Sequence, residues 1–184
     1  MHYGYRIPGL VIDGEEIFYD VLNERSIRSG AGVMFVIGFG TMMYTFLTKD
    51  FSVLMIVLPL IFGEFVIRVF ISPRFAPLAC LGDLLVKNQK PDYVGAVQKR
   101  FAWGLGLVMA SIMMILVFVV GYQGPRLLAI CGTCLLFMRL ETSVGLCVGC
   151  KIYYRLREKN ILPDPGYRPV CAGGVCSIKR PVTK

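Results

Sequence analysis

Four apolar runs alternate with short polar breaks along the chain. Residues 31–48 and 103–122 hold no charge, 51–71 hold Glu64 and Arg68, and 127–146 hold Arg139 and Glu141. Each is close to the roughly 20 residues that cross a 30 Å hydrocarbon core, so the pattern predicts four transmembrane helices. The first is the shortest and would borrow from Gly30 or Lys49. A soluble core could cover one such helix, but not four in 184 residues. The polar breaks divide the chain into a lead over 1–30, a four-span domain over 31–150 and a basic tail over 151–184.

The breaks predict less regular elements. In the lead, residues 15–27 place Ile17, Val21, Leu22 and Ile27 near one helical face with charge opposite. That spacing fits an amphipathic helix lying on the membrane before the first span, or an ordinary capped helix without lipid contact. Lys49-Asp50 and the stretch from Tyr122 to Arg126 read as tight hairpins. In the connection over 72–102, residues 75–82 are apolar enough to lie on the bilayer. Lys87–Asp92 is a polar turn, and Lys99, Arg100 and Trp103 anchor the third span at the interface. Pro163-Asp-Pro-Gly in the tail reads as another turn.

Composition supports the membrane reading. The chain is 55% hydrophobic and 17% charged, with a mean hydropathy of +0.63; an ordinary soluble domain is roughly 25% charged. The net charge of +8 follows the topology. Arg6, Arg25 and Arg28 in the lead, Arg74, Lys87, Lys90, Lys99 and Arg100 in the middle connection, and eight basic residues from Lys151 onward fall on one side. Lys49 and Arg126 fall on the other. The positive-inside rule puts both termini in the cytoplasm, with the first span itself directing insertion. The basic residues are scattered around the spans, where they meet anionic lipid heads, and do not form a nucleic-acid-binding stripe.

Charges inside the spans are costly, at least roughly 2–3 kcal/mol each when unpaired. Glu64 and Arg68 are four apart on one face and can pair. Arg68 could also snorkel toward the head groups. Arg139 and Glu141 lie about 200° apart round their helix and cannot pair with each other. By depth, Arg68 is a candidate partner for Glu141, and Glu64 for Arg139 or Arg68. The expectation is one polar cluster of Glu64, Arg68, Arg139 and Glu141 between the second and fourth spans. It would serve as a structural staple or as a proton or anion site.

Seven cysteines in a cytoplasm-facing protein are not expected to form structural disulfides. Three chemistries compete. Cys147 and Cys150 form a CxxC, a spacing suited to redox or sulfur-transfer work, with Lys151 and Arg155 supplying positive charge. Against this, the C-terminal end of the fourth span would raise a thiol pKa. That objection lapses if the pair opens its own helix, which Gly149 and the following KIYYRLREK permit. Alternatively Cys147, Cys150, Cys171 and Cys176 could hold zinc or an iron–sulfur centre, although CxxxxC is wider than the usual knuckle. The third reading is packing, favoured for Cys131 and Cys134 within the fourth span, where small residues at i and i+3 of a helix suit close approach. Cys80 reads as a small buried residue. His2, the one histidine, receives no role.

The run VIRVF over 66–70, Lys99-Arg100-Phe101-Ala102, Asn23-Glu24-Arg25 and above all LETSVGLCVGCKIY over 140–153 resemble the DUF4395 family of small bacterial integral membrane proteins. The likeness spans roughly residues 21–154. It implies a four-span domain of the bacterial inner membrane with Cys147 and Cys150 as its motif pair, beside thioredoxin-like or rhodanese-like partners. Cys171 and Cys176 lie beyond the matching part. The expected protein is an all-α, four-span bundle with an amphipathic N-terminal helix and a cytoplasmic cysteine-containing tail. Its leading function is disulfide exchange or sulfur transfer at Cys147 and Cys150. Glu141 would tune their protonation or anchor its helix, and Cys171 and Cys176 would form a second pair. The alternatives are a small transporter built on the charge cluster and a four-cysteine metal module.

Overall fold

The computed structural model describes residues 3–12 and 15–162. In chain order these form β1 (Val11–Ile12), β2 (Glu15–Glu16), β3 (Val21–Asn23), α1 (Glu24–Thr48) and α2 (Ser52–Val66), which runs on through a π turn at Ile67–Ile71. A 3-10 turn (Pro73–Phe75), α3 (Pro77–Leu85), β4 (Tyr93–Gly95) and α4 (Ala96–Met114) follow, the last extended by a π turn at Ile115–Val119. Then come α5 (Pro125–Val144) and α6 (Val148–Glu158). The proposed turn at 163–166 and the pair Cys171 and Cys176 lie outside the described residues.

The helices Glu24–Thr48, Ser52–Ile71, Ala96–Val119 and Pro125–Val144 are each long and apolar enough to cross a membrane. At most 33% of any one's apolar window is buried inside the protein, and Val36, Leu47, Ile56, Leu60, Val108 and Leu136 face outward. Soluble monomers rarely carry so much contiguous apolar surface; a lipid surround is compatible with it. Inside, Leu22, Ile27, Met34, Phe65, Val94 and Trp103 pack at one end, and Leu54, Leu58, Met113, Val117, Leu127 and Leu135 at the hairpin end.

The lead departs from the expected amphipathic helix. Residues 15–16 pair with 11–12, and Val21–Asn23 form an antiparallel ladder with β4 in the register Val21↔Gly95, Leu22↔Val94, Asn23↔Tyr93. Val21 and Leu22 are adjacent and both are buried. A strand covered on both faces accommodates adjacent buried residues, and pairing with β4 satisfies the backbone groups that a helix would have bonded internally. Asp20 accepts from the backbone N–H of Tyr3 at 3.2 Å, and Tyr5 bridges to Val21.

The ladder also explains why two spans begin earlier than the apolar runs. β3 leads directly into α1, where the Asn23 side chain accepts from Arg25 N, an ordinary N-cap. β4 leads directly into α4 through Gly95. The two helix starts are thereby held side by side.

Candidate functional site

The first consequence is a buried ion triad. Lys99, in the first turns of α4, is 1% exposed. Its Nζ lies 2.8 Å from Glu24 Oε2 at the start of α1 and 2.8 Å from Glu141 Oε1 in the last turn of α5. Three helices are thus tied at one point. A lysine read from sequence as an interfacial anchor instead satisfies two carboxylates. Such burial is tolerated because both partners are within hydrogen-bond distance.

Just beyond Glu141 the chain reverses. Gly145 ends α5 in the left-handed region (φ 70°), with its N–H bonded to Glu141 O at 3.1 Å. Arg28 donates from Nη2 to Thr142 O at 3.0 Å, placing a cation against the C-terminal carbonyls of α5. A Cβ on Gly145 would approach that guanidinium to 3.2 Å.

The reversal separates the cysteine pair from α5. Cys147 is the N-cap of α6 and Cys150 is its third residue. The two thiols lie near each other, and both are buried. The objection from the dipole of the fourth span is therefore removed: the pair occupies the favourable end of its own helix. Cys150 is pushed well up in pKa by the neighbouring Cys147 thiol and then by burial, against the opposing pull of Lys99. α6 lies close on α4. A Cβ on Gly149 would stand 2.6 Å from Ala102 Cβ, Cys150 Sγ lies 3.9 Å from Gln98 O, and Tyr154 Oη donates to Gln98 Oε1 at 2.6 Å.

Cys147 and Glu141 also line one end of a cavity of about 190 Å³ enclosed by α1, α2, α4, α5 and the first turn of α6. Cys131 and Cys134 line it farther along α5, and Phe65 and Trp103 form part of its wall. Cys131, Cys134 and Cys147 therefore border one apolar space, while Cys150 does not line it. Cys134 and Glu141 share the cavity face, as their seven-residue spacing predicts.

The expected single cluster between the second and fourth spans does not form. Arg68 donates to Glu64 from Nε at 3.0 Å and Nη2 at 2.7 Å, and Glu64 also accepts from Leu78 N at 3.1 Å and Ala79 N at 3.0 Å. Its carboxylate sits at the start of α3, where a helix favours an anion. Glu141 goes to Lys99, not Arg68. Arg139 is exposed, with its guanidinium 5.7 Å from the centre of the Phe35 ring. Depth along the helices could not discriminate these partners, because the competing cation sat outside the apolar run. Cys80 is exposed rather than buried, its thiol donating to Arg74 O at 3.0 Å, since it falls on the outer face of α3.

For zinc or iron, no group of three or more Cys, His, Asp or Glu is assembled among the described residues; half the proposed ligand set, Cys171 and Cys176, lies outside them. Glu24 and Lys99 are the site residues that sequence reasoning missed. The signal for them was their place within two of the resembling stretches, Asn23-Glu24-Arg25 and Lys99-Arg100-Phe101-Ala102, at the mouths of two spans.

Comparison with known proteins adds a family model described as "Domain of unknown function (DUF4395)", which matches residues 22–158. No curated protein and no solved structure matches the chain.

Proposed function

Because the chain belongs to the DUF4395 family, whose description assigns no activity, we propose a function from its own thiols: a membrane-embedded protein whose Cys147 and Cys150 exchange disulfide, or carry sulfane sulfur, with a cytoplasmic partner. The observation that carries this reading is the placement of the pair at the start of α6, the two thiols near each other and beside the Lys99–Glu141 ion pair.

The roles follow from that placement. Cys147 lines the cavity while Cys150 is turned onto Gln98 O, with its thiol pKa raised, so Cys147 is the attacking thiol. Its thiolate displaces one sulfur of an incoming disulfide, which leaves as a thiolate. Cys150 then loses its proton, attacks Cys147 and releases the second partner thiol. Glu141, held by Lys99 on the same side of the cavity as Cys147, is the base nearest to hand for that proton. With sulfane sulfur, Cys147 carries the persulfide and Cys150 releases the outer sulfur as it closes the disulfide.

The four long apolar helices are compatible with a membrane protein, and the reading takes that membrane to be the bacterial inner membrane. The basic lead, connection and tail favour both termini and α6 on the cytoplasmic side, where a thioredoxin-like or rhodanese-like protein would meet the pair. Cys171 and Cys176 are a second pair able to relay to the first.

Mass-based thiol counting with and without reductant, on detergent-purified protein with metal analysis of the same sample, tests this. A reversible loss of two protons mapping to Cys147 and Cys150, without metal, is the expected result. Seven thiols that stay free after oxidant treatment would overturn it. One metal per chain with four protected thiols would replace it with the metal module.

A further inference from the structure

Resting on the thiol reading above, we propose that the cavity beside Cys147 binds the ring of a lipid-soluble quinone, which takes two electrons from the Cys147–Cys150 dithiol.

The size is the first observation. A cavity of about 190 Å³ exceeds the ~150 Å³ apolar cavity that stays dry and admits benzene. Its lining reaches from Cys131 to Glu141, about 15 Å of helix at 1.5 Å per residue. One substituted ring and the start of a chain fit that space.

The second observation is its chemistry. Nearly all of the wall is apolar, and the rings of Phe65 and Trp103 offer aromatic faces to a planar guest. Polar groups in the wall are few: Thr41 donates to Ile37 O of its own helix, and at the α6 end Glu141 and Cys147 line the wall. A hydrocarbon tail would leave that end facing nothing it can bond. A quinone carries carbonyl acceptors suited to a thiol S–H.

The third is access. Cys147 is 7% exposed and lines the cavity, so a guest held there meets its thiol from inside the bundle. The wall residues Leu105 on α4 and Phe137 on α5 are also on the outer apolar surface, 37% and 43% exposed. The cavity therefore reaches the side of the bundle that faces lipid, the phase in which a quinone dissolves.

The step balances without a further reagent. Two S–H bonds break and one S–S bond forms. Two electrons and two protons pass to the quinone, whose two carbonyls become hydroxyls. The quinol leaves to the bilayer, and the disulfide is passed on or reduced by the partner described above.

Trp103 is the one tryptophan of the chain and stands in the cavity wall, so its fluorescence reports occupancy. The full chain in lipid nanodiscs is titrated with decylubiquinone under anaerobic conditions. Saturable quenching is expected, with one equivalent of quinone reduced for each two thiols lost at Cys147 and Cys150. Ala110→Leu, which fills the cavity from α4, should weaken the quenching at least tenfold. If that variant does not fold, Cys150→Ser serves instead: Cys150 does not line the cavity, so the variant should keep the quenching and abolish quinone reduction. Quenching that rises linearly without saturation overturns the site. Saturable quenching with all thiols retained overturns the quinone as oxidant and leaves a lipid-tail cavity. In either case disulfide exchange with a thioredoxin-like protein, measured on the same sample without quinone, shows whether the thiol reading itself survives.

Discussion

Lys99 Nζ stands 2.8 Å from Glu141 Oε1, joining residues 42 positions apart and fixing the end of α5 against the start of α4. α6 begins seven residues after Glu141 and packs on the same turns of α4. The ion pair is therefore the structural reference for the thiols: it sets where Cys147 enters the cavity and where Cys150 meets Gln98.

Removing the cation should cost more than removing the whole triad. In Lys99→Met two carboxylates remain without their ammonium, and breaking a buried pair in this way costs about 3–5 kcal/mol. The triple variant with Glu24→Gln and Glu141→Gln as well leaves no unmatched charge. Thermal denaturation in detergent should show a large loss for Lys99→Met and recovery of most of it in the triple variant. Equal losses in both would mean that the triad does not carry this energy.

Glu64 poses the same question with a different answer for the fold. Its carboxylate receives Arg68 and two backbone N–H groups of α3. Glu64→Gln keeps part of the hydrogen bonding but strands the buried Arg68. It should destabilise the protein by about 3 kcal/mol or more and release α3 from α2. Limited proteolysis between Ser72 and Gln89 should accelerate in that variant and not in Arg139→Gln, whose parent side chain is exposed.

These two pairs mark how far the sequence could be read. Glu64 and Arg68 were legible because one helical turn separates them. The four long helices were legible because twenty apolar residues are a local signal. Lys99 was not, because its partners arrive from 75 and 42 residues away and its neighbourhood reads as an interfacial anchor. β3 was misread for the same reason: its partner strand Tyr93–Gly95 lies about seventy residues on, and only that pairing turns adjacent apolar residues into a strand. The separate helix at Cys147 was foreseeable from Gly145 and Gly149, whereas the cavity shared with Cys131 depends on how the bundle closes.

Cys150 gives the folded protein a pH dependence of defined sign. Its thiol is raised in the native state, while an unfolded thiol titrates near 8.5. Below that value both states hold the proton and the contribution is intact. As pH rises above it, the unfolded chain releases a proton that the folded chain keeps, so stability falls, by at most about 1.4 kcal/mol per pH unit. With reductant present, melting between pH 7 and 9.5 should drop further in the unmodified protein than in Cys150→Ala. Parallel declines would show that Cys150 is not the group responsible.

The close approach of α6 to α4 allows a sharper test of whether thiol placement matters. At Gly149 a Cβ would stand 2.6 Å from Ala102 Cβ and 2.7 Å from Ala102 Cα. One of those atoms is backbone, so the strain cannot be relieved by a rotamer change; α6 must move away. Overpacking of this kind costs about 1–3 kcal/mol, and here it falls on the contact that shields Cys150 against Gln98 O. Gly149→Ala should leave the helical circular dichroism unchanged while raising the rate of Cys150 alkylation about tenfold, the change that 1.4 kcal/mol of easier opening produces. Adding Ala102→Gly removes the Cβ conflict but not the Cα one, so it should restore part of the protection. If Gly149→Ala alkylates at the unmodified rate, α6 is already free of α4 in solution. The burial of Cys150 would then no longer assign Cys147 as the attacking thiol.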